Sequence, residues 1–310
     1  MSDKPLYISN SQIQSYKDCP RKWYLQYYRE LGKRQPDIKG PLPLGTKIHK
    51  ILELIYTQED FEPQAMLQAM YDADEALVLQ TAFPDDLMKE LGKERDLAKA
   101  MVEGFIEWRE EEGIDSDYEF IQAEEVITWE VMPGVFLRGK LDQRLRRKSD
   151  GAILFNDWKT TATFTDRWLL VLNEQMKFYH MLELLASGGE TRTDGALYTM
   201  LRKVKRTATA KPPFYMREEV RHNKEEISRF YLATVRLVET IIKVRAELDS
   251  GMSMNYVVPP RPSRDCSWKC DFKNICPLFD DGSAVELSIQ EHFVHVDPDA
   301  RYNEEETTNE

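Results

Sequence analysis

Two short stretches decide how this chain folds: GKLDQ at residues 139–143 and NDWKT at residues 156–160. Each lies in a run of residues that predicts a β-strand. Between them, Asp150-Gly151 is a strong hairpin signal, because this residue pair tolerates the positive φ angles of a two-residue turn. We therefore expect the two stretches to be neighbouring antiparallel strands.

A two-residue turn would fix which side chains meet across this hairpin. It sets Asp142 opposite Lys159. Because side chains alternate faces along a strand, Asp157 and Lys159 point one way and Trp158 the other. Asp142 is then a diagonal neighbour of Asp157 on the same face. The two stretches thus predict two carboxylates and one ammonium group gathered on one side of a sheet.

The rest of the chain predicts helices and strands in an order typical of an α/β protein with a single sheet. Ser9 is the expected cap of the first helix, and Pro20 permits a second one. Further helices are expected from Thr46 and over residues 63–80, 86–112, 173–185 and 225–248, and strands over residues 118–131, 135–147, 152–160, 195–203 and 215–221.

Composition points to an ordinary globular protein of the cell interior. The 310 residues are 42% hydrophobic, and no secretory leader or membrane-spanning run is recognisable. The net charge of −12 argues at first sight against nucleic acid as a partner. Basic residues nevertheless gather over residues 21–34, 138–148 and 202–211, so the charge decides nothing about DNA binding.

The predicted trio of Asp142, Asp157 and Lys159 suits phosphodiester hydrolysis. Two close carboxylates repel each other unless a cation lies between them, and a hard divalent ion with oxygen ligands fills that role. Lys159 could then orient or deprotonate a water, and the Trp158 carbonyl is a plausible further ligand. The alternative is a surface ion-pair ladder, but the apolar residues of this strand indicate a covered position, where unpaired charge is costly.

Three other polar residues, considered singly, have ordinary structural explanations. His49 lies on a predicted helix beside its apolar face, as many partly buried histidines do. Gln175 and Tyr179 are four residues apart on another predicted helix and therefore share a face.

The four cysteines are arranged like metal ligands. Cys266, Cys270 and Cys276 are spaced Cys-x3-Cys-x5-Cys, and Cys19 lies far upstream. Thiolates bind zinc or iron and close loops that packing alone would leave loose. The spacing does not separate zinc from an iron–sulfur cluster.

Taken together, these residues resemble the RecB-type branch of the PD-(D/E)XK nuclease superfamily. That branch has Gly-x-x-x-His on a helix, Gly-x-x-Asp on a strand, Asp/Glu-x-Lys on the next strand and Gln-x-x-x-Tyr on the following helix. This sequence has the same four motifs in the same order: Gly45 to His49, Gly139 to Asp142, Asp157 to Lys159, and Gln175 to Tyr179.

The resemblance implies a restriction-endonuclease-like core, in which a mixed central sheet is flanked by helices. It implies that His49, Asp142 and Asp157 bind magnesium or manganese and that Lys159 is the catalytic lysine. Gln175 and Tyr179 would position substrate beside the site. The branch also often has an acid near Glu124 and Glu125, for which the sequence gives no role.

One subset of this branch, which includes the AddB subunit of bacterial helicase–nucleases and a CRISPR-associated nuclease, holds a [4Fe-4S] cluster with one N-terminal and three C-terminal cysteines. The resemblance assigns Cys19, Cys266, Cys270 and Cys276 to such a cluster. This chain has three residues between the first two cysteines of its trio, where the subset more often has two.

The implied organisation has a helical insert within the nuclease core and a cluster lobe made from both termini. The expected boundaries are residues 1–35 for the N-terminal part of the iron–sulfur lobe, 36–250 for the core with the insert at 57–115, 251–290 for the C-terminal part of the lobe, and 291–310 for an acidic disordered tail.

The function expected from these features is a metal-dependent exonuclease that acts on single-stranded DNA or duplex ends in recombination, repair or phage genome processing. Because the sequence lacks a Gly-x-x-x-x-Gly-Lys-Ser/Thr nucleotide-binding loop, it would act alone, like stand-alone phage-type versions, or with a separate helicase or recombinase. The alternatives are a non-catalytic DNA-binding module with a structural metal lobe and, ranked lower, a sequence-specific endonuclease.

Overall fold

The computed structural model describes residues 5–35, 37–81, 84–191 and 193–302. The helices are α1 (Asn10–Asp18), α2 (Pro20–Trp23), α3 (Pro41–Thr57), α4 (Pro63–Val78), α5 (Pro84–Glu111), α6 (Arg167–Leu172), α7 (Glu174–Ala186), α8 (Lys224–Asp249), α9 (Met254–Val257) and α10 (Val285–His292). The strands are β1 (Leu6–Ser9), β2 (Leu31–Lys33), β3 (Tyr118–Met132), β4 (Val135–Arg147), β5 (Ile153–Thr161), β6 (Thr193–Arg202), β7 (Tyr215–Arg221) and β8 (Phe293–His295).

The chain divides into two compact units, each built from separate stretches. Unit one comprises Met1–Pro36, Thr128–Gly139 and Ser228–Glu310, and unit two comprises Asp37–Ile127 and Lys140–Ile227. The expected helical insert falls in unit two as α4 and α5. Most of α8, which the sequence analysis assigns to the core up to residue 250, groups with unit one.

Unit two contains a mixed sheet, as expected for an α/β core. Within it β4 pairs antiparallel with β5, β5 pairs parallel with β6, and β6 pairs antiparallel with β7. The parallel pair requires a crossover, which α6 and α7 provide between β5 and β6. The predicted fold class, a mixed central sheet flanked by helices, is confirmed.

The turn between β4 and β5 is longer than predicted, and the register differs by two residues. Arg147 pairs with Ala152, so four residues rather than two form the turn. The Arg147 guanidinium binds both carboxylate oxygens of Asp150 at 3.0 Å, and the backbone N–H of Ala152 donates to the same carboxylate. This local ion pair stabilises the wider turn. A shift of two residues leaves every side chain on its predicted face, because the strand period is two.

Helices α3, α4 and α5 pack over one face of this sheet. Trp158 is fully buried there among apolar side chains of all three helices. Its ring stacks on Tyr56 with 5.9 Å between centroids. Burial of these residues holds the helical insert on the strand that carries Asp157.

A chain of buried hydrogen bonds crosses the same sheet from strand to strand. Asn156 donates to Gln143 at 2.7 Å and accepts from the Thr199 hydroxyl at 2.6 Å. Arg217 donates to Thr199 at 2.8 Å and to Asp115, in the loop after α5, at 2.8 Å. Each residue of this chain has at least one hydrogen-bond partner, and buried polar groups paired in this way stabilise a fold, although Gln143 Nε2 and Arg217 Nη2 have no partner among the described residues.

Asp115 is the acceptor at the end of this chain. Its carboxylate also accepts from Arg109 at 2.6 Å and from the Tyr56 hydroxyl at 2.9 Å. Burial alone would raise the pKa of Asp115, but Arg217 and the other two donors outweigh burial and lower it.

We expect Asp115→Asn to lower the free energy of unfolding by about 2 kcal/mol at neutral pH, because charge-assisted hydrogen bonds are lost. Since the folded-state pKa is lowered, this contribution is present above the unfolded pKa of about 4 and is lost as pH falls through the folded value. Urea unfolding across this range measures it, with the exposed Glu59→Gln as the control. A stability loss independent of pH would contradict the assignment.

Unit one brings the two chain ends together in regular structure. Strand β1 pairs parallel with residues 135–138, and the Ser9 side chain caps α1 by accepting from the Gln12 backbone, as predicted. Strand β2 pairs antiparallel with β8. The prediction of a disordered tail over residues 291–310 is therefore wrong for residues 291–302, because α10 extends to His292 and the following Phe-Val-His stretch pairs with β2 as strand β8. Residues 303–310 lie outside the described residues.

Candidate active site

The strand ladder places the two aspartates side by side. Pairing of β4 with β5 ends at Gln143 and Asn156. One step further along this register Asp142 lies level with Asp157, not with Lys159 as the shorter turn would require. The backbone N–H of Trp158 donates to Asp142 Oδ2 at 2.9 Å, which fixes the first carboxylate against the neighbouring strand.

Lys159 is bound to Asp157 and to helix α7. Its ammonium Nζ lies 3.0 Å from Asp157 Oδ1 and 2.8 Å from Oδ2, and it donates to Gln175 Oε1 at 3.1 Å. Gln175 Nε2 in turn donates to the Tyr179 hydroxyl at 3.1 Å. Asn173 caps α7 by accepting from the Gln175 backbone at 2.9 Å, so the start of the helix is fixed beside the lysine.

His49 reaches the site from helix α3. Its Nδ1 lies 3.4 Å from Asp142 Oδ2, and its ring meets Trp158 edge-on with 6.0 Å between centroids. One turn earlier, a Cβ at Gly45 would lie 3.4 Å from the Thr160 hydroxyl, so a small residue suits this approach to β5. The apolar face of α3 thus determines where the imidazole is held.

Asp142 and Asp157 have pKa values shifted in opposite directions, because burial, mutual repulsion and hydrogen-bond donors act on them differently. Burial raises the pKa of Asp157 to about 6, and Asp142 adds to the rise while Lys159 opposes it. For Asp142 burial also acts to raise the pKa, but His49 and the other donors prevail and lower it. Burial alone would lower the pKa values of His49 and Lys159, yet the neighbouring carboxylates raise both.

The predicted site residues His49, Asp142, Asp157, Lys159, Gln175 and Tyr179 therefore all lie in unit two. The donor set of two carboxylates and an imidazole, with one ammonium, has the chemistry that a hard divalent cation prefers. Over the described residues, no three His, Cys, Asp or Glu side chains converge tightly enough to enclose an ion. Lys159 instead takes the oxygens of Asp157. The ligand and catalytic roles, including that of the Trp158 carbonyl, remain predictions.

Glu124 and Glu125, which the sequence could not distinguish, have different partners in the structure. Glu125 is 2.9 Å from Arg144, whereas Glu124 is 3.0 Å from Lys140 and has a positive φ of 55°. Burial, with the charges of Asp142 and Glu53, raises the pKa of Glu124 although Lys140 opposes this. Glu124 therefore lies within electrostatic reach of the site carboxylate Asp142. An irregular backbone conformation within a strand leaves no periodic signal in the sequence, so pattern alone could not distinguish the two.

Tyr198 is a second neighbour that the sequence analysis missed. It pairs with Asp157 in the parallel ladder, and its hydroxyl donates to the Leu170 carbonyl of α6 at 3.3 Å. Strands β5 and β6 are distant in sequence and pair only in the folded chain, so the residues around Tyr198 could not indicate this contact.

The four cysteines lie in unit one as free thiols. Cys19 Sγ accepts from the Arg261 backbone and Cys266 Sγ from the Ser263 backbone, both at 3.4 Å. Burial raises the pKa values of Cys270 and Cys276. The charges of Cys266 and Cys276 act on Cys270, and that of Cys19 acts on Cys276, so the four lie within electrostatic reach of one another.

A sequence profile of the PD-(D/E)XK nuclease superfamily matches residues 7–277, and this chain belongs to that superfamily. Comparison with curated proteins gives no match. The crystal structure of a candidate exonuclease from Eubacterium rectale is 12% identical over 86% of this chain and 87% of its own, with a TM-score of 0.46. The crystal structure of a protein called SSO0001 is 15% identical over 75% and 94%, with a TM-score of 0.29. Both scores are below 0.5, so these likenesses add nothing to the family assignment.

Family membership shows that the chain is of a nuclease class whose members hydrolyse nucleic acid and generally use divalent metals. None of the helices in the described part of the chain has the length and apolarity needed to cross a bilayer.

If Gln175 orients Lys159, we expect Gln175→Ala to lower kcat on DNA by about tenfold, as is typical when a positioned proton-transfer group is loosened. Tyr179→Phe, which removes the hydroxyl that Gln175 donates to, should lower kcat by less. Steady-state kinetics at saturating DNA measures both, with Gln64→Ala on α4 as the control. A change confined to KM would show that these residues bind substrate and do not orient the lysine.

Proposed function

We propose that this protein is a magnesium- or manganese-dependent DNA exonuclease that cuts single-stranded or resected ends in recombination, repair or phage genome processing. The observation that carries the proposal is the group formed by Asp142, Asp157 and Lys159, with His49 beside it. Asp157 is buried, and a buried carboxylate with a second carboxylate alongside is costly unless it serves binding or catalysis.

In this proposal Asp142, Asp157 and His49 hold the divalent ion, and the Trp158 carbonyl adds a ligand. When bound, the ion polarises the scissile phosphate and lowers the pKa of a coordinated water. Ion binding would release Lys159 from one oxygen of Asp157, and its ammonium would then orient the attacking water and offset charge on the phosphate. Gln175 keeps the ammonium in place through its 3.1 Å hydrogen bond.

The substrate assignment rests on charge as well as on family membership. Lys203, Lys205 and Arg206 follow strand β6 directly, and the last two are exposed. Lys205 and Arg206 form ion pairs with Asp96 and Glu107 on the surface. Such exposed pairs contribute little to stability, so both cations can leave the carboxylates and bind phosphate instead. A non-catalytic DNA-binding module would need these basic residues but not the group of Asp142, Asp157 and Lys159.

We also propose that Cys19, Cys266, Cys270 and Cys276 hold a structural [4Fe-4S] cluster. Backbone N–H groups directed at Cys19 and Cys266 are the donors that stabilise thiolate charge. Arg21, almost fully buried, lies near Cys276 and is itself fixed by Asp280 at 2.7 Å. Such a cluster would join distant parts of the chain within unit one.

The nuclease assignment predicts that Asp157→Asn and Lys159→Met each lower cleavage of end-labelled DNA by at least about 100-fold with magnesium or manganese, because the ion ligand or the water-orienting cation is lost. DNA binding without the metal should persist. Lys243→Met, an exposed lysine in unit one, is the control and should cleave normally. Cleavage by both site variants at the wild-type rate would refute the proposal.

The cluster assignment predicts a brown protein after anaerobic purification, with broad visible absorption and about four iron and four sulfide per chain. Cys276→Ser should lose the colour and lower the melting temperature, while Ser267→Ala, in the same loop, should lose neither. A colourless preparation that contains stoichiometric zinc would refute it.

A further inference from the structure

Helix α6, between the strand of Asp157 and the helix of Gln175, presents an unusual apolar surface. Trp168, Leu169 and Leu172 are 61%, 43% and 58% exposed, and we call these three side chains the α6 patch. Leu170, on the other side of the helix, is buried. Single exposed apolar residues are ordinary, but a contiguous group that includes a tryptophan indicates a binding surface.

The fold attaches this patch to the proposed active site. Tyr198, the ladder partner of Asp157, donates its hydroxyl to the Leu170 carbonyl, so α6 is fixed over the strand pair that carries the carboxylate. Directly after α6, Asn173 caps α7, whose Gln175 binds Lys159. Movement of α6 away from the site would have to break these contacts.

Basic groups accompany the patch. Arg167 is 63% exposed, and its 3.3 Å contact with Glu218 is a solvent-exposed pair of the kind that yields to a phosphate. The Arg202 guanidinium lies 5.9 Å from the ring centre of the half-buried Phe164, just before α6, and is held by the carbonyls of Lys211 and Pro213. An exposed cation next to an exposed tryptophan in the chain, as Arg167 is to Trp168, suits a strand whose phosphates and bases are both accessible.

We infer that the α6 patch is a stacking platform for unpaired bases of a single-stranded DNA that leads into the active site. This inference rests on the proposed nuclease function and specifies its substrate as single-stranded. Duplex DNA cannot use such a platform, because its bases are already stacked on one another. An unpaired base stacks on an aromatic ring with little regard to sequence, which fits an enzyme that degrades any end.

The test measures binding separately from cleavage. Fluorescence anisotropy with a labelled oligothymidylate of about 16 nucleotides, in EDTA, gives Kd for the full-length protein without turnover. We expect Trp168→Ala to weaken binding about tenfold and Trp168→Phe to stay within about threefold, since phenylalanine still stacks. Tyr256→Ala removes an even more exposed aromatic side chain from unit one and should bind like wild type.

Two further arms separate base stacking from other roles of the patch. On an abasic oligonucleotide of the same length, wild type and Trp168→Ala should bind equally, because only phosphate contacts remain. With magnesium, Trp168→Ala should raise KM for single-stranded DNA and leave kcat within about twofold. Absence of cleavage by wild type would refute the nuclease proposal, whereas cleavage with unchanged KM in Trp168→Ala would refute only the platform.

Equal binding of oligothymidylate by wild type and Trp168→Ala would overturn the inference. Loss of a dimer in sedimentation by Trp168→Ala, with DNA affinity unchanged, would overturn it in favour of a contact between two copies of the chain. An equal loss on the abasic oligonucleotide would show that the patch shapes the protein and does not stack bases.

Discussion

The ion pair between Lys159 and Asp157 is the interaction on which the candidate site depends. Asp157 is buried while the Lys159 side chain is partly exposed, and burial of a charge is tolerated only when partners compensate for lost hydration. Neighbouring elements surround this pair with polar groups: α7 brings Gln175, which accepts from Lys159, while β4 brings Asp142 and α3 brings His49, which contact each other. The arrangement concentrates charge where packing alone would favour apolar side chains, and this is the mark of a site shaped for chemistry.

Strand β5 does two jobs because its side chains alternate. Asp157 and Lys159 lie on one face, while Asn156 and Trp158 lie on the other. Trp158 anchors the helical insert, and Asn156 joins the hydrogen-bond chain that ends at Asp115. The rigidity of the second face therefore fixes the geometry of the first, so residues without chemistry of their own determine how well the carboxylates are positioned.

The superfamily is established by a match across most of the chain, and nuclease chemistry follows from it at that level. The exonuclease activity and the iron–sulfur cluster are narrower proposals. They concern the DNA that the active site accepts and the group that the four cysteines bind. Residues around the cysteines already have the donors that thiolates need. The α6 patch adds a feature outside the four motifs, because Trp168, Leu169 and Leu172 lie in none of them.

The sequence by itself determined the order of the longer helices and strands, the strand assignment of Asp142, Asp157 and Lys159, and the face they share, because strand periodicity and the order of motifs are local properties. It did not indicate the short elements β1, β2, α6 and β8. It could not determine the register of the hairpin, since the Arg147–Asp150 ion pair widens the turn by two residues. Only the tertiary structure decided that the charge of Asp142 acts on Glu124, that Tyr198 pairs with Asp157, and that Phe293–His295 pairs with β2. Each of these follows from contacts between distant residues, and such contacts leave no period in the sequence.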